Sequence, residues 1–248
     1  MAKDPSLALR FGSAAASYDA GRPGYPVDAV EWLLTQAATD DGRLPDVVDI
    51  GAGTGKLTAV LAAHAASVVA VEPDERMRAA LESNLPGVRV TAGTGESVPL
   101  GDDSADVVTF GQAWHWVDPE AASREAARLL RPGGVLALIW NVRDDRANWV
   151  RELSTLIGPS VAEEFDTVQP PVGEPLRRDA YAEFHWTQPT DAARLVEMVA
   201  SRSSVIALAE DERAALLEEV TALTRRHPEM AGRERFDLPY TTRVTIAR

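Results

Sequence analysis

Apolar and polar positions follow two different periods along the chain. Short apolar runs such as 46–50, with the sequence DVVDI, predict buried strands. Between these runs, apolar residues recur every three or four positions, and in 27–38 they place Val27, Val30, Leu34 and Ala37 on one stripe, which predicts a helix. Alternation of strand and helix is typical of a parallel sheet that is covered by helices on both faces.

The same reading extends over most of the chain. Strands are predicted at 46–50, 67–72, 88–93, 105–111, 135–140, 182–188 and 241–247. Helices are predicted at 27–38, 56–66, 73–84, 119–130 and 148–158, near 190–200, and at 211–226. Pro73 lies at or near the first turn of its helix, and RPGG at 131–134 predicts a turn. We expect an α/β fold with a doubly wound, Rossmann-like, mostly parallel sheet of seven strands.

The strand–helix rhythm stops after the fifth predicted strand. Residues 141–178 hold one predicted helix and the proline-rich stretch VQPPVGEP. Long connections of this kind inside a compact domain are often functional. We therefore expect a single domain over residues 1–248, in which 141–178 is a helical insertion that caps a site.

Composition narrows the possible functions. The 248 residues, 45% of them hydrophobic, are enough for one large domain. The chain has no cysteine, and its four histidines show no zinc-ligand spacing, so we expect no metal site. A net charge of −13 argues against nucleic acid as a partner. No apolar run is long enough for a membrane span or a signal peptide. We expect a cytoplasmic protein without a membrane partner, as monomer or homodimer.

The glycine-rich stretch DIGAGTGKLT at 49–58 can be compared with two phosphate- and cofactor-binding loops. A Walker A loop needs glycine where Ile50 stands and serine or threonine where Leu57 stands, so it is excluded. Lys56 is then most simply a solvated residue of the first helical turn. The dinucleotide fingerprint G-x-G-x-x-G fails too, because its third glycine would fall on Lys56.

The glycines instead follow the pattern D-x-G-x-G-x-G, formed by Asp49, Gly51, Gly53 and Gly55. Placed between a strand and a helix, this pattern resembles motif I of the class I S-adenosylmethionine-dependent methyltransferases. The resemblance implies that these four residues bind S-adenosylmethionine. Alternate glycines permit positive φ and let the backbone approach a ligand closely.

Glu72 ends the second predicted strand, 21 residues after Gly51. Its carboxylate can accept hydrogen bonds from both ribose hydroxyls of a nucleoside. Because NAD-binding proteins share this acidic residue, it supports nucleoside binding without choosing between the two cofactors.

Further segments extend the resemblance over about residues 10 to 140. The stretch 93–118 looks like the family's region from the third strand through motif IV, which implies that Gln112 lies beside the methionine portion of the cofactor. Many members have an adenine-binding aspartate where this chain has Thr94. Gly95, through its backbone, and Glu96, through its carboxylate, are the alternative adenine contacts. The stretch 129–140, LLRPGGVLALIW, resembles the family's fifth strand and the helix end before it.

The lead-in FGSAAASYDAGRPGYP at 11–26 resembles that of the subgroup that includes trans-aconitate methyltransferase and its small-molecule relatives. The resemblance implies that residues 1–26 form an N-terminal lid segment, in which Tyr18 contacts the cofactor and Arg22 the substrate. Positions on a surface helix and turn are the alternative for both side chains.

The sequence GQAWHW brings three ring side chains to the end of the fourth strand, where ligands bind in open α/β sheets. Trp114 and Trp116 can offer aromatic faces to the sulfonium or to a flat substrate, or they can be rim packing. His115 is a candidate general base for a hydroxyl or amine acceptor, or a structural or orienting residue.

Together these features predict an S-adenosylmethionine-dependent methyltransferase with a small-molecule substrate and S-adenosylhomocysteine as product. A carboxylate or a hydroxyl is the expected acceptor, and Arg22 and Arg202 are the cations nominated for a carboxylate. Two alternatives stay open. One is an NAD-dependent oxidoreductase on a Rossmann fold, and the other is a non-catalytic nucleoside-binding protein.

Overall fold

A computed structural model describes residues 23–39, 42–158, 165 and 167–248. Seven strands lie in these ranges: β1 Asp46–Ile50, β2 Ser67–Val71, β3 Arg89–Thr91, β4 Ala105–Gly111, β5 Leu130–Arg143, β6 Arg178–Thr190 and β7 Phe236–Ala247. The helices described are α1 Val27–Leu34, α2 Lys56–His64, α3 Glu75–Asn84, α4 Pro119–Leu129, α5 Asn148–Ile157, α6 Ala192–Ala200, α7 Ser203–Ile206 and α8 Glu210–Arg226. A short 3-10 helix, Trp114–Trp116, follows β4.

The strands form one sheet in the order β3-β2-β1-β4-β5-β7-β6. β1 to β5 run parallel to one another, and β7 runs antiparallel to both β5 and β6. The predicted mostly parallel, seven-stranded, doubly wound sheet is therefore confirmed. The chain moves outward from β1 to β3 and then returns to place β4 on the other side of β1. This reversal of strand order opens a crevice at the carboxyl ends of β1 and β4.

Apolar side chains of alternating strand positions pack against helices on the two faces of the sheet. On one face, Val48 and Ile50 of β1 share a buried cluster with α4. On the other face, Val47 packs with α1 and α2. Successive strand residues point to opposite faces, so a strand covered on both sides must be apolar along its whole length.

A third apolar cluster, the cap cluster, covers the carboxyl end of β5. It contains buried residues of α5, α6, α7, α8 and the start of β7, with Trp149 of α5 edge-to-face against Phe236 at 5.7 Å between ring centroids. Because Tyr240 pairs with Arg143 in antiparallel register, Phe236 lies beyond the last residue of β5. The cap cluster thus borders the same edge of the sheet as the crevice.

The observed bounds of several elements differ from the predicted ones. The RPGG stretch, predicted as a turn, lies within β5, where the register with β4 shifts between the pairs Ala105–Leu130 and Val107–Val135. α1 ends at Leu34 rather than at residue 38. Pro73 lies outside α3, because the Asp74 side chain caps that helix by accepting from the amides of Arg76 and Met77. In the described ranges, no helix has both the length and the apolar character needed to cross a bilayer.

Candidate functional site

The loop between β1 and α2 has the backbone that its glycines predict. Gly51, Gly53 and Gly55 all have positive φ, at 68°, 57° and 93°. A Cβ on Gly51 would lie 2.5 Å from the Cβ of Ala113, so this position has no space for a side chain. The loop therefore passes close to the segment that follows β4, at the reversal of strand order.

The amides of this loop donate to oxygens of the protein itself. Gly51 and Ala52 donate to the Val71 carbonyl at 2.8 and 3.2 Å, and Gly55 donates to the Ala52 carbonyl at 3.0 Å. Gly53 donates to Glu72 Oε2 at 2.8 Å. The loop does not present these N–H groups to a ligand as a phosphate-binding loop does, in agreement with the exclusion of a Walker A motif.

Glu72 follows β2 and is held by the backbone on both sides. Its side chain is buried, with Oε2 accepting from Gly53 and Oε1 accepting from the Asp74 amide at 3.0 Å. Burial raises the pKa of Glu72, and the two N–H bonds oppose that shift only in part. Each carboxylate oxygen has a second lone pair, so Glu72 can accept two further hydrogen bonds from a ligand.

Asp49 lies on β1 just before the loop and is 1% exposed. Its two oxygens accept from the Thr58 hydroxyl at 2.6 Å and the Thr109 hydroxyl at 2.8 Å. Burial raises the pKa of Asp49 to about 6; the two hydroxyl bonds oppose the shift, and the charge of Glu72 adds to it.

A cavity of about 70 Å³ lies in the crevice between the ends of β1 and β4. Gln112, which has a positive φ of 58°, donates from Nε2 to the Asn141 carbonyl at 2.9 Å. Its Oε1 is buried and has no hydrogen-bond partner among the described residues. The described lining residues are Pro23, Tyr25, Asp49, Gly51, Ala52, Gly53, Thr54, Lys56, Leu57, Gly111, Gln112 and Asn141.

Comparison with known proteins assigns the chain to a family. Residues 48–138 match the model of a methyltransferase domain. Over 244 residues the chain is 43% identical to an uncharacterized methyltransferase of Mycobacterium tuberculosis, with 97% of each chain covered. The chain belongs to the class I S-adenosylmethionine-dependent methyltransferases.

Two further similarities extend the comparison. A solved structure from Anaeromyxobacter dehalogenans, assigned as a type II methyltransferase, is 25% identical with a TM-score of 0.68, and 91% of this chain and 97% of that chain are covered. A malonyl-[acyl-carrier protein] O-methyltransferase of Methylococcus capsulatus is 33% identical over 137 residues, about half of each chain. Membership of the family confirms the prediction of a methyltransferase over the nicotinamide-dependent and non-catalytic alternatives.

The turn after β3 in this methyltransferase contains the three residues predicted to contact adenine. Thr94 is exposed and forms an isolated bridge with Ser97. Gly95 is buried, and a Cβ there would lie 2.5 Å from a methyl carbon of Val117. Glu96 is exposed and accepts from the Asp118 amide at 3.0 Å. The turn lies two strands from β1 in the sheet, and its residues do not line the cavity.

The three ring side chains after β4 have different surroundings in the methyltransferase. Trp114 is fully buried, donates from Nε1 to the Pro171 carbonyl at 2.8 Å and lies edge-to-face with Phe110 at 4.8 Å. This environment favours packing over substrate contact for Trp114. His115 is also buried, with its ring 4.8 Å from that of the half-buried Trp116 and 6.2 Å from that of Phe165.

Of the two cations nominated for an acceptor carboxylate, Arg202 lies within the described residues. Arg202 is 6% exposed and donates to the Gly158 carbonyl at 2.9 Å, at the start of α7 within the cap region. It does not line the cavity. Arg22 lies outside the described residues, as does Tyr18, the lid tyrosine predicted to contact the cofactor.

Lys56 and Asn141 are two of the cavity-lining residues that were not nominated from the sequence. Lys56, interpreted as a solvated helix residue, is half-buried and lines the cavity. Its position directly after Gly55 was the available signal. Asn141 also lines the cavity, and it was missed because the fifth strand was predicted to end at residue 140, whereas β5 continues to Arg143. Within the described ranges, no group of three or more His, Asp or Glu side chains is arranged to hold a metal ion.

Proposed function

We propose that the protein binds S-adenosylmethionine along the carboxyl edge of the sheet and methylates a small-molecule carboxylate or hydroxyl. The observation that carries this proposal is the cavity at the reversal of strand order, beside Gly51 and Gln112. Gln112 Oε1 is a buried acceptor in need of a donor, and an amino acid's ammonium group is such a donor. The residues present therefore fit the amino-acid end of the cofactor.

The order of the strands supports the placement of the remaining parts of the ligand. Next to the cavity, Glu72 follows β2, and its carboxylate is already oriented by the Gly53 and Asp74 amides. It can accept the ribose hydroxyls without reorganising. The turn at 94–96 follows β3, one strand further along the edge, where an adenine would lie. An extended nucleoside would thus run from β4 and β1 across β2 to β3.

S-adenosylmethionine, when bound, supplies a methyl group on an electrophilic sulfonium. The chain's contribution is to align the acceptor oxygen with that group and to exclude water. The cap cluster covers the end of β5 next to the cavity with apolar side chains from several helices. We place the acceptor between this cluster and the rings of His115 and Trp116.

One similar protein supports the choice of an oxygen acceptor. The similar protein from Methylococcus capsulatus is an O-methyltransferase. A carboxylate acceptor is already nucleophilic at neutral pH and needs no base, whereas a hydroxyl acceptor gains from one. We assign the general-base role for a hydroxyl acceptor to His115. Arg22 and Arg202 are the proposed partners of an acceptor carboxylate.

Label transfer to a mixture of small molecules tests the function. The protein is incubated with deuteromethyl-labelled S-adenosylmethionine and a metabolite extract, and labelled products are found by mass spectrometry. Alkaline treatment then separates methyl esters, which are hydrolysed, from methyl ethers, which are not. We expect an ester or ether of low molecular mass. Label found only on nitrogen or on protein would contradict the proposal.

The variant His115→Ala distinguishes the two acceptor classes. With a hydroxyl acceptor the turnover number falls about 100-fold or more, the usual contribution of a general base. With a carboxylate acceptor we expect little change in turnover. Loss of turnover together with loss of thermal stability would instead indicate that His115 is structural.

A further inference from the structure

The cavity wall contains a cation that the prediction from sequence did not use. Of the described residues that line the cavity, Lys56 alone is cationic. It is the first residue of α2 and half-buried. Lys56 is also one of only two lysines in the chain, the other being Lys3, while arginine supplies the remaining basic side chains.

An anionic group entering this cavity needs a partner other than the glycine loop. The amides of Gly51, Ala52, Gly53 and Gly55 donate to the Val71 carbonyl, the Glu72 carboxylate and the Ala52 carbonyl. Breaking any of these bonds would leave a carbonyl or carboxylate uncompensated. A lysine ammonium has three donors on a flexible stem, so it can turn toward a carboxylate while the amides of the loop keep their bonds.

The electrostatic setting of Lys56 also favours an anion. α2 begins after Gly55, which provides no side-chain cap, so the partial positive charge at the helix N-terminus adds to that of the lysine. On other parts of the wall, Gln112 Oε1 and Asp49 offer acceptors. Among the described lining residues, the cavity thus combines one cation with these two acceptors, the arrangement that a zwitterionic amino-acid group requires.

We propose that Lys56 pairs with the α-carboxylate at the amino-acid end of the cofactor, while Gln112 accepts from its ammonium group. This inference rests on the proposed binding of S-adenosylmethionine and names the residue that selects the complete amino-acid end. It has a specific consequence. Nucleosides that lack the carboxylate gain nothing from Lys56.

Calorimetric titration with two ligands tests the pairing. S-adenosylhomocysteine has the carboxylate, and 5′-methylthioadenosine lacks the whole amino-acid end. For Lys56→Met, we expect S-adenosylhomocysteine to bind about 10- to 100-fold more weakly than to the native protein, as for the loss of a charge-assisted bond. Affinity for 5′-methylthioadenosine stays unchanged. Lys56→Arg keeps the charge and restores most of the affinity.

Arg76→Met is the matched control, since Arg76 is an exposed cation on α3. It should bind both ligands as the native protein does, and thermal unfolding checks that all variants fold. Equal weakening of both ligands by Lys56→Met, or no weakening of either, would overturn the inference. If the native protein binds S-adenosylhomocysteine and Lys56→Met binds it equally well, only this inference fails. If the native protein does not bind it at all, the proposed function fails.

Chemical labelling provides a second test on the native protein. Lysine acylation is followed by mass spectrometry, with Lys3 as the internal reference. S-adenosylhomocysteine should slow the acylation of Lys56 several-fold relative to Lys3, whereas 5′-methylthioadenosine should protect it much less. Equal protection by both ligands would show that the nucleoside merely covers Lys56, and would contradict a pairing with the carboxylate.

Discussion

Two buried aspartates on neighbouring strands have opposite environments. Asp106, near the start of β4, is 3% exposed and accepts 2.8 Å bonds from both terminal nitrogens of Arg43 and from the Asp46 amide. Arg131 adds an ion pair at 3.0 Å. Burial alone would raise the pKa of Asp106, but these donors outweigh it and lower the pKa. Asp49, 1% exposed near the end of β1, has only two hydroxyl donors and a raised pKa.

The difference between these two aspartates indicates that the two edges of the sheet have different roles. At the amino edge, the charges of Asp106, Arg43, Arg131 and Asp46 compensate one another and tie β1, β4 and β5 together. At the carboxyl edge, Asp49 and Glu72 are held with raised pKa values, and Gln112 retains an unpaired oxygen. Buried polar groups whose charges or hydrogen bonds are only partly satisfied by the protein are typical of ligand sites. The first edge stabilises the fold, and the second is the edge at which we propose that a ligand binds.

The largest effect is expected at the amino edge. Asp106→Asn removes a buried charge from a network of two arginines and should lower the free energy of unfolding by about 3–5 kcal/mol. The matched control is Asp102→Asn, which breaks a 2.7 Å pair between Arg128 and a carboxylate that is 74% exposed. That change should cost at most about 1 kcal/mol. Urea unfolding at pH 7 measures both, and equal losses would remove the distinction between the edges.

The next largest loss of stability is expected from a steric clash in the glycine loop. Gly51→Ala combines positive φ with a contact of 2.5 Å to Ala113 and should cost about 2–4 kcal/mol in unfolding free energy. Gly53→Ala has positive φ but no neighbour within 4 Å of the added Cβ, so it should cost only about 1–2 kcal/mol. Chemical denaturation of the pair measures the difference. A larger loss for Gly53→Ala would contradict the close approach of the loop to Ala113.

Asp49→Asn should stabilise the protein at neutral pH. Because burial raises the pKa of Asp49 from 3.8 to about 6, the folded state keeps a proton in this interval that the unfolded chain has lost. The contribution of Asp49 to the free energy of unfolding therefore falls as pH rises from about 4 to 6 and is constant above that. Asparagine removes this titration, so the variant gains about 1–3 kcal/mol at pH 7 and little at pH 4.

Urea unfolding of both proteins at several pH values between 4 and 7 measures this change. Asp28→Asn, at an exposed position on α1, is the control and should leave the pH profile unchanged. If the pH dependence of the unfolding free energy is the same in Asp49→Asn as in the native protein, another group causes it.

The smallest effect concerns the ligand rather than the fold. Glu72→Gln leaves one oxygen to accept from the Gly53 or Asp74 amide and removes the charged acceptor for the ribose. Affinity for S-adenosylhomocysteine should fall about 5- to 20-fold, which is about 1–2 kcal/mol, by calorimetry. Glu75→Gln, on an exposed site of the same connection, should bind like the native protein. Unchanged affinity in Glu72→Gln would show that this carboxylate does not bind the ribose.

Much of the fold could be predicted because local patterns determine it. The bounds of β1 and β4 match their apolar runs, which are buried on both faces and so contain few polar residues. The bounds of β6 and β7 were predicted too short, because their length comes from antiparallel pairing with each other and not from local composition. The RPGG stretch was wrongly predicted as a turn because its place in β5 also depends on pairing with a distant strand. Here that strand is β4, and the parallel register shifts at this stretch.

The site was predictable in its backbone and less so in its side chains. The glycine spacing indicated the loop, and its position after β1 indicated the edge of the sheet. Nothing in the local sequence distinguishes Trp114, which packs inward against Phe110, from Trp116 two residues later. Lys56 was not predicted as a site residue because the cavity that it lines is formed with Gln112 and Asn141, which are distant in sequence.

A crystal structure of the protein with S-adenosylhomocysteine tests the central claim most directly. The account predicts the amino-acid end in the cavity between β1 and β4, beside Gly51 and Gln112, with the ribose hydroxyls on Glu72. A ligand bound at any other edge or face of the sheet, with this cavity empty, would contradict the account.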